Sequence, residues 1–474
     1  MKADEHQLAA IHHGTGPALV TAGPGSGKTF VLTHRIQYLI DHLGVSPEQI
    51  LVLTFSKKAA AEMEERFGIL CPKVGKSVTF GTFHSVAYRI LGRFDRSGFR
   101  MLTDEERIQF MFETLEKIEK SVDLGYLLNT PEFAEEILRE LSICKAKGLP
   151  IEAYSSDIIP KEVFIRIIKH YETFKNTRKG MDYEDLLIRA RDLLLNSKEV
   201  LNHLQNRYRF LLIDEFQDIN QIQYEICYMI ADLHRNIFAV GDDDQAIYAF
   251  RGSNPAFMQR FLLDYKDCKR FELNMNYRSR REIVEIAGRL IAKNKNRITK
   301  QIKCNEPVLP TNRGTVTRNV FPTKRAQYEE IISLISESGP KKNKTPVKTD
   351  SICILCRTNE FPVSLLRALE DSTLKDTSDN VQIMTMHASK GLEFDTVILP
   401  DLNEGNVPSP HSSHTAEEIE EERRLLYVAM TRAKKHLYLF SVKNKTERIA
   451  PSRFLKDCRL KFSDLRRFIL HRHR

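Results

Sequence analysis

Residues 17–35, PALVTAGPGSGKTFVLTHR, restrict this chain more than any other stretch. The apolar run Ala18-Leu19-Val20 predicts a strand, AGPGSGKT a tight loop, and the residues from Lys28 onward a helix. That order is what a phosphate-binding loop needs. Gly23, Gly25 and Gly27 open backbone angles closed to other residues, so successive N–H groups can converge on one anion. The helix start adds its positive dipole end. Lys28 supplies a full positive charge, and the Thr29 hydroxyl is placed to ligate Mg²⁺. The strict pattern opens on Gly, whereas this chain has Ala22. Such a loop demands partners elsewhere: an acidic strand end for the metal and groups that sense the terminal phosphate.

A chain of 474 residues exceeds a single core, so several subdomains are expected. No apolar stretch reaches transmembrane length and no signal segment is evident, so a cytoplasmic protein with no membrane span is expected. Eight scattered cysteines do not form a secreted disulfide pattern. Cys353 and Cys356 make a CxxC, but SICILC reads as a buried strand, with packing the leading role and redox or metal binding the minor one. The net charge of +9 is concentrated: from Lys443 on, 11 Lys and Arg face 3 Asp and Glu, which leaves +1 for the rest. Basicity alone therefore says little about nucleic acid.

Along the chain, Gln7 in DEHQLAAI precedes the first strand, with an amide able to read an adenine edge. ILVLTFSKKAAAEMEERF and KSVTFGTFHSVAYRIL each predict strand, turn and helix. Thr54 with Phe55, and Thr82 with Phe83 and His84, then sit at strand ends and suit a single-stranded nucleic acid, though either phenylalanine taken alone reads first as core. Residues 95–178 are helical and charged, a helical insertion without strand patterns. The acids Asp182, Glu184 and Asp185 read as a helix start before they read as a metal site. YRFLLIDEFQDIN ends a buried strand on Asp214, a Mg²⁺ holder, and Glu215, a group that can polarise water. NIFAVGDDDQAIYAFRGS offers Gln245 to a γ phosphate, with Tyr248, Phe250 and Arg251 as stacking surface. KRFELNMNYRSRREIVEIA is expected to open a second α/β series, continued by GTVTRNVF, SICILC, VQIMTM, DTVILP and HLYLF. Tyr277 and Arg278 lie at its first turn. Thr385, His387, Gly391 and Glu393 fall between two strands, and a helix ending near Arg432 is expected to expose that arginine. KKNKTPVK reads as a solvated basic loop. The tail reads either as a basic amphipathic helix or as a disordered end.

These blocks, in this order, resemble the UvrD/Rep/PcrA-type branch of superfamily 1 helicases. DEHQ resembles the Q motif and AGPGSGKT motif I. LVLTFSKKAAAEM and TFGTFHS resemble the next two blocks. LLIDEFQD and AVGDDDQAIYAFRG resemble motifs II and III; LNMNYRS, VQIMTMHASKGLEF and EERRLLYVAMTRA resemble motifs IV, V and VI. The resemblance implies an α/β fold of two RecA-like P-loop NTPase lobes. The first lobe would span 1–94 and 179–268 around the insertion at 95–178, the second 269–442, and a basic tail 443–474. It implies an ATP-dependent enzyme moving 3′ to 5′ on single-stranded or tailed duplex DNA, with ATP between the lobes and Mg²⁺ as cofactor.

Residue by residue, the resemblance implies that Gln7 and Tyr277 hold adenine and Glu393 the ribose. Ala22, Gly23, Pro24, Gly25, Ser26 and Gly27 cradle the phosphates, with Phe30 close by. Lys28, Gln245, Arg278 and Arg432 contact the γ phosphate, Thr29 and Asp214 hold Mg²⁺, and Glu215 is the general base. Phe55, Phe83, His84, Tyr248, Phe250, Arg251 and His387 line the strand path with Thr54, Thr82 and Thr385. Phe30 stands where the family usually has arginine, and Phe250 where it has tryptophan. Between Leu366 and Val381 only ALEDSTLKDTSDN replaces a whole inserted subdomain. Translocation is thus better supported than unwinding, and a DNA-stimulated ATPase acting as a binding or signalling module is the alternative. No nuclease domain fits after residue 443, which weakens a nuclease–helicase reading. The basic tail leaves room for a protein partner.

Overall fold

The computed structural model describes residues 3–74, 77–119, 130–305, 316–338, 350–360, 365–367 and 380–458. The basic loop at 341–348, nearly all of ALEDSTLKDTSDN and the tail beyond 458 lie outside them. The chain divides into two compact units. The first comprises Met1–Thr21, Lys28–Gly241 and Tyr248–Phe271; the second comprises Ala22–Gly27, Asp242–Ile247 and the residues from Glu272 onward.

The first unit is built on a six-stranded sheet. Its strands are β1 (Ala18–Ala22), β2 (Ile50–Thr54), β3 (Thr79–Thr82), β6 (Phe210–Ile213), β7 (Ile237–Gly241) and β8 (Lys269–Leu273), in the order β3-β2-β6-β7-β1-β8. The pairs β2–β3, β2–β6, β6–β7 and β1–β7 are parallel. Helices α1 (Glu5–Ile11), α2 (Lys28–Asp41), α3 (Lys57–Leu70) and α4 (Phe83–Phe94) alternate with the strands. Every residue of β2, β6 and β7 is buried. This is why ILVLT and FLLI read as unbroken apolar runs: a parallel strand covered on both faces has no polar side.

Between β3 and β6 the chain becomes helical, with α5 (Asp104–Glu119), α6 (Pro131–Ala146) and α7 (Lys161–Thr177) closing on their own core of Phe110, Leu115, Ile137, Phe164, Ile167 and Tyr171. Two-residue strands β4 (Arg100–Met101) and β5 (Gly180–Met181) pair in parallel across its base. Two residues carry no periodicity, so this pairing is invisible in sequence.

The second unit holds a five-stranded parallel sheet of β11 (Val316–Phe321), β12 (Ile352–Cys356), β13 (Val381–Thr385), β14 (Phe394–Leu399) and β15 (Ala433–Val442), in the order β11-β15-β14-β12-β13. A shorter parallel pair joins β9 (Met275–Asn276) to β10 (Lys303–Cys304). The expected α/β fold with parallel sheets is therefore present.

Two expectations need correction. KRFEL does not open the second series: it is β8, at the edge of the first sheet beside β1. Lys269 N–H donates to Pro17 O at 3.0 Å, and the Thr21 hydroxyl to Phe271 O at 3.2 Å. Exposure at its first residues marks an edge strand but does not say which sheet it edges. Likewise β15 begins at Ala433, earlier than HLYLF suggests. Lys434 and Lys435 are tolerated there because they pair with Glu393 and with Asp350 and Asp395.

Candidate nucleotide site and nucleic-acid surface

In the first unit, β1 delivers the chain to the glycine loop and α2 begins at Lys28. The Lys28 ammonium sits 3.1 Å from Glu215 Oε2, with both side chains mostly covered. Glu215 Oε2 also accepts from the Gln217 amide at 2.5 Å. Glu215 follows β6 with φ of 51°, a left-handed conformation that costs a non-glycine residue about 1–3 kcal/mol. That backbone turn lets Asp214 and Glu215 leave the strand end in different directions. Asp214 Oδ1 accepts the Glu215 N–H at 3.0 Å. Burial, then the neighbouring Glu215, push the Asp214 carboxyl up to about 7 against the opposing pull of Lys28.

Gln7 is the third residue of α1, and its side chain forms one half of a capping box with Asp4. Its amide oxygen accepts from Asp4 N–H at 3.1 Å and the residue is buried. Phe30 packs against His34, one turn further along α2, with ring centroids 3.9 Å apart and planes tilted by 33°.

An aromatic row follows. Phe55 and Tyr248 are stacked at 4.8 Å and 10°, and Tyr248 meets Phe250 edge-on at 5.9 Å. The Arg251 guanidinium lies 5.5 Å from the Tyr248 ring and 5.6 Å from the Phe250 ring. Phe250 is 44% exposed. Phe55, Phe83, His84, Phe250 and Arg251 line one cleft of about 790 Å³, together with Arg107 and Arg139 of the helical segment and Tyr183. Tyr183, packed edge-on against His84, went unnoticed in sequence because the acids around it drew the reading. Its signal is an aromatic exposed at a helix start. Burial pushes the His84 imidazole down to about 4, so it is neutral at physiological pH.

The strand-end hydroxyls make local hydrogen bonds. Thr54 is fully buried and donates to Ser56 O at 3.0 Å, while Thr82 caps α4 by accepting from Ser85 N–H at 3.2 Å. Asp182 is the cap of α8 (Tyr183–Asn196), again through a capping box with Asp185, as a helix start requires.

In the second unit, Gly25 and Gly27 have φ of 65° and 85°. A Cβ on Gly25 would lie 2.6 Å from the Arg278 Cβ. Tyr277 N–H donates to Gly25 O at 2.9 Å, and the Asn276 amide to Pro24 O at 2.7 Å. These bonds tie the loop to the turn after β9, which explains why Ala22–Gly27 groups with this unit. Arg278 Nε donates to Glu393 Oε2 at 2.7 Å, and Lys434 reaches the other carboxylate oxygen at 2.6 Å. Burial is outweighed by these two cations, and the Glu393 carboxyl is held below its ordinary value.

Arg432 follows the helix Ala416–Met430 but is not exposed: only 2% of it is accessible. Its Nε donates to Val428 O at 3.0 Å, Nη1 to Leu392 O at 3.1 Å, and Nη2 to Gln245 Oε1 at 3.1 Å. With the Thr431 hydroxyl, which accepts from Nη2 at 3.3 Å, the fork finds fixed acceptors on every nitrogen, so burying it leaves little unsatisfied. Gln245 also presents its backbone oxygen to Lys390 at 2.7 Å. Thr385 accepts from Ala388 N–H at 3.2 Å, capping the turn that carries His387 and Gly391. Cys353 and Cys356 are buried thiols, and burial pushes Cys353 up to about 12, in keeping with packing roles.

Residues 3–266 match the UvrD/REP helicase N-terminal domain, and residues 271–375 and 363–444 match the UvrD-like helicase C-terminal domain. This chain belongs to the UvrD/REP helicase family. It is 31% identical to YjcD of Bacillus subtilis over 95% of its own length and 80% of that protein. It is also 31% identical to the ATP-dependent DNA helicase PcrA of Leuconostoc citreum, over 78% of this chain and 48% of PcrA. Among the described residues, no helix is long and apolar enough to cross a membrane.

Proposed function

We propose that this UvrD-type chain is an ATP-dependent DNA helicase that moves 3′ to 5′ along single-stranded DNA. The observation that carries the proposal is the Lys28–Glu215 pair at 3.1 Å beside the buried Asp214. A lysine at the end of a glycine loop holding a general-base candidate is a hydrolytic centre waiting for phosphate. Nucleotide phosphates draw the Lys28 ammonium to themselves, and Glu215 is then free to orient and deprotonate the attacking water.

The donor set fits Mg²⁺: a threonine hydroxyl and a carboxylate, both hard oxygens, with Asp214 burial rewarding a nearby cation. Thr29 and Asp214 would hold the ion, which neutralises phosphate charge when bound. Gln245 would read the γ phosphate, and Arg278 and Arg432 would stabilise the charge that develops on it. Gln7 and Tyr277 would take the adenine, Phe30 would stack near it, and Glu393 would take the ribose, giving up Arg278 to the phosphate. The row Phe55, Tyr248 and Phe250 offers successive π faces to bases, with Phe83, Arg251 and His387 alongside. His84 is neutral and contributes a ring face, not a charge.

A compact architecture is part of the proposal. The two C-terminal family matches meet within 363–375, and the alignment with YjcD runs over 613 positions, more than this chain contains. Relatives therefore carry residues that this chain lacks. Lys28→Ala is expected to abolish single-strand-stimulated ATP hydrolysis in the purified protein; unchanged turnover would remove Lys28, and the hydrolytic centre built on it, from the account.

A further inference from the structure

The loop Asp242-Asp243-Asp244-Gln245 places three carboxylates in succession, all buried. Such a run is costly unless cations are buried with it. Two are. Lys300 is 1% exposed at its side chain and lies 2.5 Å from Asp242 Oδ1 and 3.3 Å from Asp244 Oδ2, and it also bonds Asp243. Arg297 grips Asp244 with two parallel bonds at 2.8 and 2.5 Å. Asp243 accepts Ile298 N–H at 2.6 Å, which pins the Arg297–Lys300 segment to the loop. Burial alone would lower the Lys300 ammonium; Asp242, Asp244 and Asp243 more than reverse this and hold it well above the ordinary lysine range.

The consequence lies one bond further on. The second oxygen of Asp242 accepts the Gln245 side-chain N–H at 2.6 Å, while Gln245 Oε1 accepts from Arg432 at 3.1 Å. The amide is therefore fixed at both ends, its oxygen toward the arginine and its nitrogen toward Asp242. The ion pairs of Lys300 run to the aspartates. We propose that Lys300 is a positioning residue for ATP hydrolysis: it locks the Asp242 carboxylate where it must be to orient the Gln245 amide against Arg432. Removing Lys300 takes a buried ammonium from the Asp242 carboxylate whose other oxygen holds Gln245, so the carboxylate can shift and loosen the amide.

This rests on the role given above to Gln245 and deepens it. The test uses full-length Lys300→Met, Gln245→Ala and the double variant. Expected is a loss of about 10²-fold in single-strand-stimulated turnover for Lys300→Met, like that for Gln245→Ala. Affinity for a fluorescent ADP should stay within about twofold, and the double variant should be no slower than Gln245→Ala alone, because residues acting through one another are not additive. Multiplying losses, or lost ADP affinity, would make Lys300 structural only and overturn the inference. Full turnover in Gln245→Ala would instead overturn the role of Gln245 itself, and the inference with it. If Lys300→Met folds poorly, Lys300→Met with Asp243→Asn removes one carboxylate charge along with the lysine. That variant should regain thermal stability but stay slow; recovered turnover would mean that Lys300 only neutralises charge.

Discussion

Each unit buries a cluster of carboxylates around lysine, and the two clusters differ in what hangs from them. In the first unit, Lys145 and Lys175 meet Glu172, Asp182 and Asp185, with Lys175 at 3.0 Å from Asp182 and Lys145 at 2.9 Å. Every member belongs to α6, α7 or the start of α8, and Asp182 and Asp185 form the capping box of that helix. The cluster fastens the helical segment to the chain that follows it. In the second unit, Lys300 and Arg297 neutralise an acidic loop whose next residue is Gln245. Both groups of acids have the spacing of a metal site, and in both the ligand positions are taken by ammonium or guanidinium groups. The comparison teaches that burial of charge does not itself distinguish frame from mechanism. What distinguishes them is whether an uncharged side chain, here Gln245, is held at the end of the network.

The largest effect that follows is on the frame. Asp182→Ala removes the α8 cap and one of the three carboxylates that Lys145 and Lys175 share, and should cost about 3–5 kcal/mol in unfolding free energy, read from a denaturant titration, while turnover per folded molecule is unchanged. A drop in turnover at normal stability would break the comparison. Next comes Gln245→Ala, expected to slow hydrolysis about 10²-fold, roughly 2.7 kcal/mol in barrier, with the unfolding midpoint nearly constant. A third variant lies outside both clusters. Phe250→Ala should weaken single-strand binding by about 1–3 kcal/mol, measured by fluorescence anisotropy, and leave turnover at saturating DNA intact.

The smallest effect concerns pH. Burial disfavours the Asp182 carboxylate, but Lys145 and Lys175 overcome this and hold it well below the usual range. A depressed acid stabilises the fold above its unfolded value near 3.8 and loses that contribution as pH falls through the folded one. Wild-type stability should therefore decline below about pH 4 by as much as ~1.4 kcal/mol per unit for this group. Asp182→Asn should flatten that decline, and an unaltered acid limb would show that Asp182 does not govern it.

Much of this was readable from residues alone, for physical reasons. Parallel strands buried on both faces, such as Ile50–Thr54 and Ile352–Cys356, announce themselves as apolar runs. The glycine loop is legible because its backbone angles exclude most other residues. What escaped depends on partners distant in sequence. Nothing local says that Lys269–Leu273 edges the first sheet, or that Arg432 is buried, since its acceptors Leu392 and Gln245 come from other segments. Lys300 was overlooked for the same reason: a lysine in KNRITK looks like solvated surface until three aspartates are folded around it. Thr54 and Thr82 show something else that sequence does not tell: hydroxyls at strand ends also serve local turns and caps.

The central claim is directional movement on single-stranded DNA driven by ATP hydrolysis, and displacement of streptavidin from biotinylated oligonucleotides tests it most directly. The account predicts ATP-dependent release from the 5′ end, none from the 3′ end, and none with Lys28→Ala. Release from the 3′ end, or brisk hydrolysis with no release from either end, would contradict it.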